Sequence, residues 1–171
     1  MSKEYIDVVR LLLKGANLVT FEYWSEFVIR IQRDEATRHP MLLSRWGNMR
    51  IPSLFCLRLR NAWWIGNETS WCAELSTFPI KGVRPIQLEG PLQAARLMQL
   101  LGREVTEIYV NGSSDLTLEL VDERITVKGS DGEWEESWIL DLPVDDPDRD
   151  LWTIICESDG RIYGRVPDDS P

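Results

Sequence analysis

Two short segments with an apolar stripe, each ended by a glycine and succeeded at once by alternating sequence, limit what this chain can fold into. In YIDVVRLLLKG, residues 5–15, Ile6, Val9 and Leu13 share one helical face, with Val8 and Leu12 beside them. Gly15 stands where a helix closes in the left-handed region. In GPLQAARLMQLLG, residues 90–102, Pro91 takes the first helical position and Leu92, Ala95, Met98 and Leu101 line one face, with Gly102 as the stop. These patterns predict helices over about 3–14 and 91–101.

The residues after each glycine are strand-formers. LVTFEYW and SEFVIRIQR succeed Gly15, and VTEIYVNGSSDLTLELVDERITVKG succeeds Gly102, with NGSSD at 111–115 as a turn between two runs. A shift of 87 sets Gly15 on Gly102, Leu18 on Val105, Phe21 on Ile108 and Tyr23 on Val110. Two more residues in the second turn set Phe27 on Leu116, Ile29 on Leu118 and Ile31 on Leu120. Trp64-Ile65 then falls opposite Trp138-Ile139, if the first copy carries 15 extra residues within the loop-like stretch 34–53. The expectation is an α+β protein, mainly antiparallel sheet, built as one compact domain over 1–171 from tandem helix-β-β-β halves, 1–89 and 90–171. Short helix-then-hairpin patterns also match by chance, and the sequence alone does not separate the two origins. LWTIICES and RIYGRV, split by Asp159-Gly160, predict a final hairpin, and PDDSP a frayed tail.

The charge is divided along the chain. Residues 1–103 hold 14 Lys and Arg against 9 Asp and Glu, net +5; residues 104–171 hold 5 against 19, net −14. Such asymmetry predicts either a dipolar surface or internal pairing of the two halves, while a chain at −9 overall repels nucleic acid and anionic membrane. No stretch approaches the ~20 apolar residues of a membrane span, and no cleavable leader is legible. Cys56, Cys72 and Cys156 are odd in number and lack CxxC spacing, which points to a reducing, cytoplasmic setting. The two sequons, at Asn67 and Asn111, are then chance matches.

Candidate chemistry is thin. His39 is the only histidine, and Cys56 in SLFCLRLR reads as a small buried hydrophobe rather than a nucleophile. Asp146, Asp148, Asp150 and Glu157 approach the spacing of a calcium loop, but Leu151 occupies the sixth position where the turn needs glycine. Glu133 and Glu135 around Trp134 would share one strand face, a pairing known from glycoside hydrolysis, yet that chemistry calls for a deep pocket. Arg30, Arg33, Arg38, Arg45, Arg50, Arg58 and Arg60 with Trp46 suit phosphate contacts, but pairing with the acidic half accounts for them equally. No enzyme, metal or cofactor is expected.

Eight tryptophans, at 24, 46, 63, 64, 71, 134, 138 and 152, are left to explain. Adjacent Trp63 and Trp64 must face opposite ways on a strand; the Trp64-Ile65 repeat makes Trp64 structural and leaves Trp63 undecided. The helix ends at glycine, the run VTEIYVNGSSDLTLEL, and the strand WWIG echoed by SWIL resemble the small immunity proteins of bacterial contact-dependent inhibition and related polymorphic toxin systems. The resemblance covers most of the chain and is one of size, charge and pattern. It implies an antitoxin that binds a cognate protein toxin, often a nuclease domain, and blocks its active site or substrate surface. The acidic segment 131–150, with Glu133, Glu135, Glu136, Asp145, Asp146, Asp148 and Asp150, is the expected partner surface, because a nuclease presents a basic cleft. The alternative is a carbohydrate- or ligand-binding module using exposed Trp rings, which would stand coplanar on one face.

Overall fold

The computed structural model describes residues 3–34, 45–46, 50–77 and 85–167. Helix α1 (Lys3–Leu13) is followed by β1 (Asn17–Tyr23), β2 (Phe27–Gln32), β3 (Leu54–Leu59) and β4 (Trp63–Ile65). Two helices come next, α2 (Glu68–Thr77) and α3 (Pro85–Leu100), and then β5 (Val105–Val110), β6 (Leu116–Leu120), β7 (Arg124–Val127) and β8 (Glu136–Asp141). A 3₁₀ turn (Arg149–Leu151) leads to the hairpin β9 (Thr153–Glu157) and β10 (Ile162–Arg165). The fold is α+β and mainly sheet: one six-stranded sheet, β1-β2-β3-β8-β9-β10, and one four-stranded sheet, β4-β7-β6-β5, both antiparallel.

The strand order explains the sequence repeat. In each half a helix precedes a three-strand meander, β1-β2-β3 or β5-β6-β7, and the fourth strand then leaves for the other sheet. Thus β4 pairs with β7, and β8 pairs with β3. Neither half completes its own sheet, so one apolar core is shared between them.

The shift of 87 is written into the backbone where the halves meet. Gly15 N–H donates to the Val105 carbonyl at 2.8 Å, and Gly102 N–H to the Leu18 carbonyl at 2.6 Å. Leu18 N–H donates to Arg103 and Val105 N–H to Ala16, and the equivalent residues Asn17 and Glu104 bridge one another. This reciprocal pattern is that of a local two-fold axis. Both glycines sit at positive φ, 81° and 82°, where a β-carbon would be strained, which fixes glycine at each helix exit. Both first strands also carry a register shift at matching places, between Leu18 and Thr20 and between Val105 and Glu107. The helices are exchanged too: α1 packs on β5, with Arg10 Nε donating to the Ile108 carbonyl, and α3 packs on β1.

Three sequence expectations need correction. The fourth-strand register is off by one. Leu59, opposite Phe27, pairs with Trp138, and Val127, opposite Leu116, pairs with Trp63, so Trp63 rather than Trp64 is the counterpart of Trp138. Trp63 is the buried ring, 4% exposed and edge-on to Phe27 at 4.9 Å, while Trp64 is half-buried. The shared Trp-Ile dipeptide suggests the wrong alignment, because a strand's facing depends on which residue enters the ladder.

The helix expected over 91–101 runs from Pro85 to Leu100, with Pro91 inside it. Pro91 removes the N–H that would bond the carbonyl four residues earlier, and Pro85 takes the helix-start role instead. The unforeseen α2 is capped by the preceding Asn67, whose Oδ1 accepts the backbone N–H groups of Thr69 at 2.9 Å and Ser70 at 3.4 Å. The first sequon is therefore a helix cap. The second is a turn, since Asn111 Oδ1 accepts from Ser113 at 2.9 Å and Asp115 at 3.0 Å.

Candidate partner-binding surface

Most of the basic residues of the first half are spent inside the molecule. Arg50 holds Asp146 and Asp148, Arg103 holds Asp122, Lys14 holds Glu107, Arg45 holds Glu4 and Arg30 holds Glu22. Arg33 is buried and donates to the carbonyls of Leu11, Leu12 and Lys14 at the end of α1. Trp46 is core: its indole donates to Pro167 and its ring meets Trp152 edge-on at 5.1 Å. Arg38 and His39 lie outside the described residues.

A denser network crosses the outward side of β3. Arg58 binds Asp141 at 3.1 Å and Glu26 at 3.0 Å; Arg60 binds the same Glu26 at 2.6 Å and Glu136 at 2.7 Å; Arg149 binds Asp141 at 2.8 Å. Burial works against the Arg58 charge, but the carboxylates of Asp141 and Glu26 outweigh it and hold the guanidinium above its usual pKa. The same balance, with Glu26 and Glu136, raises Arg60.

The seven acidic residues expected to form one surface fall into two groups. Glu133, Glu135 and Glu136 lie before and at the start of β8, and Asp145, Asp146, Asp148 and Asp150 after its end. The strand holds the groups roughly 17 Å apart along its length. Asp146 and Asp148 are committed to Arg50, and Glu136 to Arg60. Glu133, Glu135, Asp145 and Asp150 are exposed and, among the described residues, in no salt bridge. No cluster of three His, Cys, Asp or Glu among the described residues is placed to hold a metal ion.

The Glu133–Glu136 end is also where the most exposed aromatic rings stand. Trp24, in the β1–β2 turn, is 85% exposed, and Trp134, in the β7–β8 loop, is 63% exposed; Tyr23 is exposed as well. Ser25, Glu26, Leu59, Arg60 and Trp134 line a cleft of about 190 Å³ between these two loops. A second cleft of about 270 Å³ lies alongside, lined by Tyr23, Asn61, Ala62, Trp63, Glu89, Gly90 and Gln93. Neither exposed tryptophan makes a ring–ring contact among the described residues.

The loops that present these rings are tied down. Tyr23 stacks on Phe27 at 4.3 Å and lies so close to Gly90 that a β-carbon there would reach its hydroxyl at 3.0 Å. Asn61 Nδ2 donates to the Ser130 carbonyl at 2.9 Å, Asp131 N–H to Ser158, and Ser158 N–H to the Glu135 carbonyl. Asp131 adopts positive φ, 59°, within this loop. Backbone hydrogen bonds thus fix the loop that carries Trp134, and the Trp24 N–H donates to the Glu26 carbonyl across its own turn. Trp24 gives no separate signal in the sequence, because it closes the strand-like run LVTFEYW. Comparisons with protein-family models, with curated proteins and with solved structures found no match. No described helix is long and apolar enough to cross a membrane.

Two of the three cysteines, Cys56 and Cys156, are buried packing residues. Cys156 is buried and its thiol is pushed up to about 12 by burial, then by Asp159, Asp115 and Glu157; its Sγ–H points to the Gly129 carbonyl at 3.3 Å. Burial also raises Cys56, with Asp141 adding to it. Cys72 is exposed on α2. Ellman's reagent at pH 8 is expected to titrate one thiol in the native protein and all 3 after unfolding. Rapid native labelling of two or more would contradict this burial.

Proposed function

We propose that this protein is a non-catalytic binder that captures and neutralises a basic partner protein, of the toxin–immunity kind, through the end that carries Trp24 and Trp134. The observation that carries the reading is the presence of two exposed indoles together with unpaired carboxylates at Glu133 and Glu135. Tryptophan anchors surrounded by a charged rim are the usual composition of a protein-binding hot spot. A surface of this sign suits the phosphate-binding cleft of a nuclease, where it would occupy substrate-binding positions. It would also speed encounter in a salt-dependent way.

The reading expects an adjacent gene to encode the toxin, and the domain so encoded is the partner in the test. Trp24→Ala with Trp134→Ala should weaken its capture by roughly 100-fold through faster dissociation. Glu133→Lys with Glu135→Lys should slow association about tenfold at low salt, and Asp145→Lys with Asp150→Lys should change it far less. Capture that survives the tryptophan pair, or that is lost by the 145/150 reversal and not by the 133/135 reversal, would refute this docking end.

A further inference from the structure

We infer that the cleft beside Trp134 is the seat of one arginine side chain of the partner, laid flat against the indole; this rests on the docking surface proposed above. Size comes first. About 190 Å³ accepts a single long side chain and lies below the ~300–1,000 Å³ of pockets that enclose small-molecule ligands. The lining suits an amphipathic chain: Trp134, 63% exposed, offers a ring face to methylenes and guanidinium alike, while Leu59 is nearly buried and adds little area.

Charge selects the sign of the guest. Arg60 is the cation within the lining, and it is already engaged by both Glu26 and Glu136. An incoming anion would have to displace one of those carboxylates. Around the cleft, Glu26, Glu133, Glu135, Glu136 and Glu157, the last paired across the ladder with Glu136, exceed Arg58, Arg60 and Arg161 by two. A cation therefore meets a negative field and an indole quadrupole, which attract it together.

Arginine fits better than lysine. Its planar guanidinium stacks on a ring while its edge still donates to carboxylates, whereas an ammonium is a hydrated point charge.

The probe is Ac-Gly-Arg-Gly-amide, read through the indole N–H resonance of Trp134, which Trp134→Phe identifies, with Trp24 as the internal reference. A saturable shift at Trp134 is expected for the arginine peptide. A several-fold weaker response is expected for its lysine analogue and a roughly tenfold weaker one for the neutral citrulline analogue. Equal binding of the citrulline or a glutamate peptide, or no response at Trp134, would overturn the seat. Loss of toxin capture in Trp134→Ala without an arginine response overturns the arginine seat and leaves the docking surface standing. An arginine response with capture intact in the Trp24, Trp134 double variant overturns the docking surface, and with it the partner's arginine at this cleft, while leaving the cleft's affinity for arginine standing.

Discussion

Trp138→Ala is expected to lower the unfolding free energy by about 3–5 kcal/mol, the largest effect of any single tryptophan in this chain. Trp138 is fully buried, on the strand that crosses from one half to the sheet of the other. Its indole donates to the Ser114 carbonyl at 3.1 Å, and Ser114, held at a φ of 63°, donates its hydroxyl to Gly160 at 2.7 Å. Truncation leaves a cavity and removes the indole's hydrogen bond to Ser114, and it loosens the β5–β6 and β9–β10 turns that Ser114 joins. For a chain of this size the loss corresponds to a fall in melting temperature of roughly 6–20 °C. Trp24→Ala and Trp134→Ala, by contrast, should stay within about 0.5 kcal/mol of the parent in urea titrations followed by circular dichroism. A Trp138→Ala loss below about 1 kcal/mol would show that the crossing strand is not held by this ring.

The contrast between Trp138 and Trp134, four residues apart, shows where the sequence is legible. Helix exits at Gly15 and Gly102 are readable because glycine adopts that backbone geometry at the least cost, and the equivalence of Phe21 with Ile108 and of Ile29 with Leu118 comes with them. The exchange of β4 and β8 is not readable, since period-two patterning says which face a residue takes and nothing about which sheet it joins. For the same reason the Trp-Ile dipeptides align Trp64, and not Trp63, with Trp138. Helix α2 leaves little trace because ETSWCAELST mixes Ser, Thr and Cys with few apolar positions; its one local signal, the capping Asn67, doubles as a sequon. At the candidate site, the acidic run is visible, but the strand that splits it and the turn that brings Ser25 and Glu26 to the cleft lined by Trp134 are long-range facts.

Long-range pairing also decides the second large effect, expected at Asp141. Asp141→Asn should cost about 3 kcal/mol, because it leaves Arg58, itself largely buried, without the neutralising charge and facing an amide whose Nδ2 donates where one carboxylate oxygen accepted. Arg149 is partly solvated and can turn to water, whereas Arg58 retains only Glu26, which Arg60 already shares. Replacing both members, Arg58→Met with Asp141→Leu, removes the uncompensated charge and should recover stability relative to Asp141→Asn alone. A double variant less stable than Asp141→Asn would mean that the pair is needed for its net attraction rather than for mutual neutralisation. The same substitution reaches the cleft. Glu26 links Arg58 to Arg60, so a displaced Arg58 shifts the carboxylate that lines the recess beside Trp134. Partner capture in Asp141→Asn should therefore weaken well below the melting transition, and 1 M salt, which screens surface pairs such as Arg161–Asp159, should leave the Asp141 stability difference largely intact.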